Sequence, residues 1–482
     1  MKASFGYVNI TPADFVGRPL AGYTPIPRCT GKYDDIHARA VLIEDVTLGN
    51  VNKRLLLISM DVLQIPMLFS DYIKEQIQDA YKIHPNQILI HAIHTHKSLD
   101  MSGMFARIFK KKGEDGLGTV IWNIMFGAYH GDDRYKVWIA RRIVTMVGDM
   151  IVRLRPARIA WTKQIIDADI IINRRHPTRR SRSPMGIIAF KDASNGELFG
   201  IIVNYGMHPT TLSRAITKLS ADYPGRVVYK VSELTSGKVQ AICFTGPAGD
   251  LNPITTCGTD FEALEKNRDP VYNQTGTYKD TKRLGYFLGE QALEIARSIP
   301  DKDYFDTVSF KSYVRTFWVP MKDFKKYFSK SWVSNRLVHI VKRYILFPVA
   351  LLLGDVNEPN FPGFAAKHRG FKWVCAYTQI QYIDIAASGA KGHSEVAIIG
   401  VPGELFEDIA KLFYEKTPAG PANTFIFQAS NDWIAYLFPL NEYIIGGYEP
   451  FASYSSICGT WVKRKYLQLL EDVDLEITGG YF

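Results

Sequence analysis

Apolar residues along this chain form two kinds of pattern, short continuous runs and longer segments with helical spacing. The runs are rich in β-branched residues and bounded by Gly, Pro, Asn or Asp, which predicts strands. Strands are predicted at 38–43, 54–61, 87–90, 165–172, 185–190, 199–205, 238–244, 372–385, 395–401 and 424–429, and helices at 68–82, 134–154, 222–233, 280–298 and 404–415. Because strands and helices alternate, we predict an α/β fold with mixed β-sheets flanked by helices.

We predict one large domain over residues 1–482, because no internal repeat, low-complexity tract or linker interrupts the pattern. Residues 104–133 are irregular and Gly-rich, which predicts a loop or lid. Residues 318–363 read as an insertion in which basic and aromatic residues flank the apolar run 344–353. That run is too short to cross a bilayer, so it is either a buried helix or a segment, 322–353, that contacts an anionic membrane surface.

Composition narrows the function classes. The 482 residues are 46% hydrophobic and 22% charged, which is typical of a globular protein. The net charge of +10 favours nucleic acid, anionic lipid or an acidic substrate as partner, and a merely solvated basic surface is the alternative. No nucleic-acid-binding motif accompanies the basic clusters, so sequence-specific nucleic-acid binding is not expected.

The chain carries neither an uncharged apolar run of transmembrane length nor the apolar core and cleavage site of a signal peptide. We therefore expect a cytoplasmic or peripheral membrane location, or secretion if a leader has been removed. The five cysteines are scattered without CxxC spacing, which argues against a disulfide framework and against a cysteine zinc site.

Two histidine clusters carry the candidate chemistry. His94 and His96 follow one apolar, β-branched stretch, and His208 follows another more than a hundred residues later. Residues i and i+2 of a strand share a face, so His94 and His96 are expected to point the same way. Two or three imidazoles on one surface predict a zinc site or a catalytic centre.

Several segments resemble, in the same order, the neutral, non-lysosomal ceramidase family. The resemblance runs from the N-terminus to about residue 455 and is carried by short motifs. They are Asn9-Ile10-Thr11-Pro12 with Pro19-Leu20-Ala21-Gly22-Tyr23, Asp34-Asp35-Ile36-His37-Ala38-Arg39-Ala40, His94-Thr95-His96, Asn173-Arg174, His208-Pro209-Thr210 with Ser220-Ala221-Asp222-Tyr223-Pro224-Gly225, Phe244 to Pro253, Val401-Pro402-Gly403-Glu404, and Tyr436 with Tyr448-Glu449. Each motif is weak alone, and their shared order makes the resemblance specific.

The resemblance implies one zinc ion held by His94, His208, Glu404 and Tyr436. Two imidazoles, a carboxylate and a phenolate are acceptable zinc donors. Tyr436 could instead be an aromatic residue of the core. Glu404 could instead be a carboxylate in the first turn of the helix predicted at 404–415.

Further roles follow for residues near these ligands. His96 is the candidate for proton transfer or oxyanion stabilisation. Asp222 or Asp250 is expected to orient a ligand imidazole through its second nitrogen. Arg174 is expected to clamp a substrate carbonyl, carboxylate or phosphate.

One position departs from the family pattern. The ceramidases carry Gly-Asp-Val-Ser-Pro, whereas this chain has Gly249-Asp250-Leu251-Asn252-Pro253. Asn252 cannot act as a hydroxyl nucleophile, and we expect it to donate a hydrogen bond to the tetrahedral intermediate instead. A substrate preference broader than, or different from, ceramide is therefore expected.

These observations predict a zinc-dependent hydrolase that cleaves an amide (N-acyl) bond of a lipid-like or acylated substrate with a metal-activated water. A deacetylase or esterase acting on a sugar or polysaccharide is an alternative enzyme. A non-catalytic, metal-containing protein that binds a membrane surface is an alternative of a different class.

Overall fold

The computed structural model describes residues 1–23, 27–46, 53–101, 133–179, 181–254, 276–320, 375–389, 392–453 and 457–477. The predicted lid at 104–133 falls almost entirely outside these ranges, and the predicted membrane-contact segment at 322–353 lies fully outside them. Both stay predictions, as does the division into one domain with an insertion at 318–363. Within the described ranges, no helix has the length and apolar character that crossing a membrane requires.

The chain forms strands throughout its length, most of them where apolar, β-branched residues cluster. The strands are β1 (Lys2–Asn9), β2 (Gly31–Lys32), β3 (His37–Glu44), β4 (Arg54–Met60), β5 (Ile88–Ala92), β6 (Arg155–Ile165), β7 (Ile171–Asn173), β8 (Pro184–Asp192), β9 (Leu198–Tyr205), β10 (Lys218–Leu219), β11 (Gln240–Thr245), β12 (Leu251–Pro253), β13 (Thr307–Pro320), β14 (Cys375–Gly389), β15 (Gly392–Gly400), β16 (Glu404–Leu405), β17 (Thr424–Phe427) and β18 (Tyr436–Leu437).

The described helices lie between these strands or follow the last of them. They are α1 (Met67–Tyr81), α2 (Asp133–Val152), α3 (Asp222–Leu234), α4 (Tyr278–Ser298), α5 (Glu407–Lys416), α6 (Gly420–Asn423), α7 (Leu440–Ile445), α8 (Tyr448–Ala452) and α9 (Cys458–Ile477). Local sequence explains where they start: α4, for example, begins at a capping box in which Thr277 and Asp280 bond each other's backbone N–H groups.

Two mixed sheets form the centre of the fold. The larger has the strand order β11-β9-β8-β6-β1-β3-β4-β5, and the smaller has the order β13-β14-β15-β17. In the larger sheet, β4 pairs with β5 and β9 with β11 in parallel, and the other neighbours pair antiparallel. Strands β4 and β5 are buried almost throughout, which explains their continuous apolar sequences.

The sheets pack face to face and are enclosed by helices. One apolar cluster contains residues from both sheets, including Leu57 and Phe190 from the larger and Ile383 and Phe425 from the smaller. Three further clusters join the outer faces to α1 and α2, to α3 and α4, and to α5 and α9. The predicted fold class, mixed sheets flanked by helices, is confirmed.

The larger sheet curls so that strands from its two ends meet. The Ser59 hydroxyl on β4 donates to the Cys243 carbonyl on β11 at 2.6 Å. The Thr245 N–H on β11 donates to Nε2 of His91 on β5 at 2.9 Å. Side chains therefore bridge the two ends, and the loops after β5 and β9 lie close together.

Several predicted elements shift in the structure. The segment predicted as a strand at 165–172 contains the end of β6 and the start of β7. The helix predicted to start at 404 starts at Glu407, because Glu404 and Leu405 pair as β16 with β18. Helix α9 was not predicted, although its buried residues pack onto the smaller sheet.

Candidate metal centre

His94 and His96 lie just beyond the end of β5, which ends at Ala92. Their common direction therefore does not come from strand alternation, and that part of our prediction is wrong. The backbone of His94 has a φ of 70°, in the left-handed region that non-glycine residues rarely adopt. This local turn directs the imidazoles into the fold, and a strained backbone at a buried histidine is typical of a functional site.

The three predicted histidines converge. One nitrogen from each of His94, His96 and His208 lies within 4.8 Å of the others, and all three side chains are buried. Nε2 of His96 lies 3.1 Å from Nε2 of His208, across 112 residues of sequence. The approach of the loops after β5 and β9 brings these rings together.

Glu404 joins the histidines from the opposite side. Its Oε2 atom lies 3.2 Å from Nε2 of His94 and 3.7 Å from Nε2 of His208. Its other oxygen, Oε1, accepts a hydrogen bond from the Trp433 indole N–H at 3.1 Å. Glu404 is thus fixed in a strand with one oxygen turned to the imidazoles, and the alternative of a first-turn helix carboxylate is wrong.

Tyr436 lies beside Glu404 because of strand pairing. Strands β16 and β18 pair in parallel with Glu404 opposite Tyr436. Both side chains are buried. Paired residues of neighbouring strands point to the same side of a sheet, so the pairing places the two predicted oxygen donors together.

Backbone carbonyl groups fix which nitrogen of each ring faces the centre. Nδ1 of His94 is 2.7 Å from the Leu63 carbonyl oxygen, and Nδ1 of His208 is 3.0 Å from the Ala248 carbonyl oxygen. A carbonyl only accepts, so both Nδ1 atoms carry the proton and both Nε2 atoms present lone pairs. In other metal proteins, the same arrangement orients ligating histidines.

The atoms at the centre fit a cation. Nε2 of His94 and Oε2 of Glu404 are buried and have no hydrogen-bond partner, although they lie 3.2 Å apart. Each presents lone pairs to the other, and a buried polar atom without a partner costs free energy. A positive ion between them would satisfy both, and imidazole with carboxylate is a donor set that zinc accepts.

Burial keeps two of the three imidazoles neutral. Burial, reinforced by His94 and by nearby cationic side chains, lowers the pKa of His96 and of His208 well below the ordinary value. Neutral imidazole is the form that binds a metal, so the surroundings already hold these rings in the ligand state.

Neither predicted aspartate orients an imidazole in the hydrogen bonds that the structure describes. The Asp222 carboxylate accepts from the backbone N–H groups of Thr211, Leu212 and Tyr223. It thereby anchors the loop that follows His208 to the start of α3. The expected role of orienting a ring therefore falls to the carbonyls of Leu63 and Ala248.

Asp250 connects the loop between β11 and β12 to neighbouring elements. Its carboxylate accepts from the Asn173 side-chain amide at 2.8 Å and from the Glu407 N–H at 3.0 Å. Burial raises the pKa of Asp250 to about 6. Asp250 therefore positions the start of α5 and the residue before Arg174.

Arg174 is committed to protein partners. Its Nε donates to Glu449 at 2.7 Å, one terminal nitrogen donates to Oδ1 of Asn252 at 3.0 Å, and the other donates to the Gly249 carbonyl at 2.7 Å. Its guanidinium carbon also lies 5.4 Å from the centre of the Tyr436 ring. Burial lowers the pKa of Arg174, but Tyr436 and Glu449 outweigh it and raise that pKa. Arg174 therefore organises Tyr436 and Asn252, whereas the sequence suggested a substrate clamp.

The sequence analysis assigned no role to three residues at the centre. Gly22 packs against His96, since a Cβ at Gly22 would lie 2.6 Å from the imidazole. The Tyr23 ring is 4.9 Å from the His96 ring. Trp433 holds Glu404. The Gly22-Tyr23 pair belongs to a family-like N-terminal motif, whereas no sequence signal marked Trp433.

Comparisons with known proteins agree with this description at the level of the fold. No protein-family profile and no curated protein matches the sequence. Among solved structures, ceramidases share this fold.

Neutral ceramidase from Pseudomonas aeruginosa aligns with a TM-score of 0.67 over 97% of this chain and 73% of that chain, at 17% sequence identity. A ceramidase complexed with C2 aligns with the same TM-score over 96% of this chain, also at 17% identity. The resemblance inferred from the motifs is therefore confirmed as a shared fold.

Proposed function

We propose that this protein is a zinc-dependent hydrolase that cleaves an N-acyl amide bond of a lipid-like substrate. One observation carries the proposal: lone pairs of His94, His208 and Glu404 meet, buried, within a fold shared with ceramidases. Buried imidazole and carboxylate lone pairs that face one another suit a cation, because packing alone would leave them without partners.

The donors that would hold zinc are His94, His208, Glu404 and Tyr436. Bound there, zinc supplies Lewis acidity, polarising a carbonyl group and lowering the pKa of a water towards about 7. Burial raises the pKa of the Tyr436 hydroxyl well above its ordinary value, and Glu404 adds to this, whereas Arg174 opposes it. The guanidinium of Arg174 therefore favours the anionic form that a tyrosine ligand needs.

His96 and Asn252 would act on the substrate. His96 lies at the histidine cluster but makes no ion-pair contact with Glu404 among the described contacts, which leaves its ring for proton transfer to the leaving amine. Oδ1 of Asn252 is engaged by Arg174, so its amide group presents Nδ2 as a donor to a developing oxyanion.

The test combines metal content with a substrate panel. Protein purified without added metal is expected to contain about one zinc per chain by elemental analysis. It should hydrolyse N-acyl lipids or N-acyl amino acids in a panel that also contains ceramides and acetylated sugars. Chelation should abolish turnover, and added zinc should restore it.

A matched pair of variants gives the control. His94→Ala should lose zinc and turnover together, whereas His84→Ala, which changes an exposed histidine that bonds Asn86, should keep both. Metal-free protein that hydrolyses the amide at full rate would refute the zinc mechanism. Cleavage of acetylated sugars alone would move the activity to the deacetylase class.

A further inference from the structure

Gln428 is a fully buried polar residue directly after β17. Its side-chain oxygen accepts the N–H of Ala248 at 3.0 Å and the N–H of Leu405 at 3.2 Å. Two backbone donors identify this atom as the oxygen, so the amide nitrogen points the other way. That nitrogen is buried and has no hydrogen-bond partner. A buried donor without a partner costs free energy, so packing alone does not explain a glutamine here.

The two residues whose N–H groups bind Gln428 adjoin the candidate metal centre. The carbonyl group of Ala248 accepts the Nδ1 proton of His208. Leu405 follows Glu404 in β16. The side-chain oxygen of Gln428 therefore links the residue that orients His208 to the strand that carries Glu404.

The same two segments are in direct contact. The Gly249 N–H donates to the Leu405 carbonyl at 2.9 Å. A Cβ at Gly249 would lie 2.5 Å from the Glu404 carbonyl oxygen, so only glycine fits. The side-chain oxygen of Gln428 thus adds two hydrogen bonds where the segment of Ala248 and Gly249 packs tightly against the segment of Glu404 and Leu405.

The backbone of Gln428 reaches the third donor segment. Its carbonyl oxygen lies 2.6 Å from Nδ1 of His91, whose Nε2 accepts the Thr245 N–H at 2.9 Å. The two partners fix the tautomer, with the proton on Nδ1. His91 lies on β5, three residues before His94. Gln428 therefore contacts the segments that supply His94, His208 and Glu404.

We propose that Gln428 is a positioning residue that sets the spacing of these three donors and thereby the affinity for the metal. The inference rests on the metal centre of the proposed function. Residues that orient metal ligands typically contribute about 10–100-fold in metal affinity. A residue that only stabilises the fold would change unfolding without changing affinity in the folded protein.

The experiment compares Gln428→Met with Gln428→Glu in the full chain. Methionine has a similar shape but no acceptor for the two N–H groups, whereas glutamate keeps an acceptor oxygen. The Zn²⁺ Kd is measured by competition with a chelator, and the Co²⁺ form is examined by its visible absorption spectrum. We expect the Zn²⁺ Kd of Gln428→Met to rise about 10–100-fold with a changed Co²⁺ spectrum, and that of Gln428→Glu to stay within about threefold of wild type.

Gln381→Met is the matched control. Gln381 is also a fully buried glutamine, but its amide bonds Asn86, Ser312 and Asn431 and does not bond Ala248 or Leu405 in the described contacts. The control should lose stability in urea unfolding while keeping the wild-type Zn²⁺ Kd. An unchanged Kd in a folded Gln428→Met protein would overturn the inference.

A second variant covers a failure to fold. Gln428→Asn keeps the amide but withdraws its oxygen by one methylene, and its Zn²⁺ Kd should rise in the same direction; an unchanged Kd would overturn the inference. Wild-type protein that binds Zn²⁺ but hydrolyses no substrate would refute the proposed activity alone. The Kd comparison then still decides the role of Gln428.

Discussion

At the scale of single residues, His94 and His96 have different neighbours although only one residue separates them. Nε2 of His94 faces the Glu404 carboxylate at 3.2 Å, whereas Nε2 of His96 faces His208. We therefore expect His96→Ala to retain zinc but lose turnover by about 10²–10⁴-fold, the usual contribution of proton transfer. His94→Ala and His208→Ala should lose both. Elemental analysis and initial rates on the same preparations separate these cases.

The His96 prediction has two opposite failures. If His96→Ala is purified without zinc, His96 is itself a ligand. If it turns over at the wild-type rate, another group transfers the proton.

Gly22 gives an indirect way to disturb His96. Its φ is 104°, and a Cβ there would lie 2.6 Å from Cγ of the imidazole. Gly22→Ala should therefore displace the ring and reduce kcat while zinc stays bound. Gly17→Ala is the control, because Gly17 also has a positive φ, 83°, but its Cβ would meet no atom within 4 Å. Equal rates for the two variants would mean that backbone strain, not the ring contact, governs the effect.

Asn252 is the residue at which the sequence departs from the ceramidase motif. Its oxygen accepts from Arg174, so a serine in its place would lie beside the same guanidinium. We expect Asn252→Ser to raise the hydrolysis of ceramide relative to the other N-acyl substrates. The kcat/KM ratio for matched ceramide and N-acyl amino acid substrates is the measurement. Fast, selective ceramide turnover by the wild type would show that asparagine does not divert the specificity.

At the scale of elements, the periodicity of apolar residues predicted the long helices and core strands, because these bury a continuous face. Helix α1 was predicted at 68–82 and spans Met67–Tyr81, and β9 was predicted at 199–205 and spans Leu198–Tyr205. The two-residue pair of β16 and β18 could not be predicted. It depends on contacts between Glu404 and Tyr436 from distant segments, and two residues carry no periodicity.

The local backbone geometry at the site also could not be predicted from the sequence. The histidine motif indicated a metal centre, and the structure brings those histidines together. Strand alternation gave the wrong reason, because His94 leaves β5 through a left-handed turn that tertiary contacts impose. The carbonyls of Leu63 and Ala248 could not be inferred either, since every residue has one.

Strand β14 contains a carboxyl group that opposes folding at neutral pH. Burial, with a further contribution from Glu395 on β15, raises the pKa of Asp384 to about 6. The folded state therefore binds a proton more readily than the unfolded chain, so this group lowers stability as pH rises from about 4 to about 6. Asp384→Asn should raise the free energy of unfolding at pH 7, by less than about 3 kcal/mol because the side chain is partly exposed.

Urea unfolding at pH 7 and pH 4 checks the Asp384 prediction. The gain in the free energy of unfolding should shrink at pH 4, where the folded state keeps the carboxyl group protonated and the unfolded chain protonates about half of it. Asp79→Asn on the exposed side of α1 serves as control and should show no such pH dependence. An equal increase in the free energy of unfolding at pH 7 and at pH 4 would mean that the substitution acts through packing and not through the charge.

At the scale of the whole molecule, metal binding should stabilise the fold. The donors come from the loops after β5 and β9 and from β16 and β18, so the unfolded chain does not hold them together. A ligand that binds only the folded state adds about 4 kcal/mol at a thousandfold excess over its Kd. Chelated protein should therefore unfold at a lower Tm, and added Zn²⁺ should reverse the change.

Differential scanning calorimetry of wild type and His94→Ala tests this coupling. Chelator should lower the Tm of wild type and leave that of the variant unchanged. A wild-type Tm that does not respond to chelator or to added Zn²⁺ would show that metal binding does not stabilise the fold.

The pairing of Glu404 with Tyr436 also dictates when the centre can come into existence during biosynthesis. A ribosome releases His94 and His208 long before β16 and β18 emerge, so the nascent chain carries two imidazoles without their carboxylate partner. Proteins are made from the N-terminus, so contacts between an early and a late segment form only after the late segment has been synthesised. We therefore expect zinc to be loaded late in maturation, and we expect chains stalled before residue 404 to bind zinc only weakly.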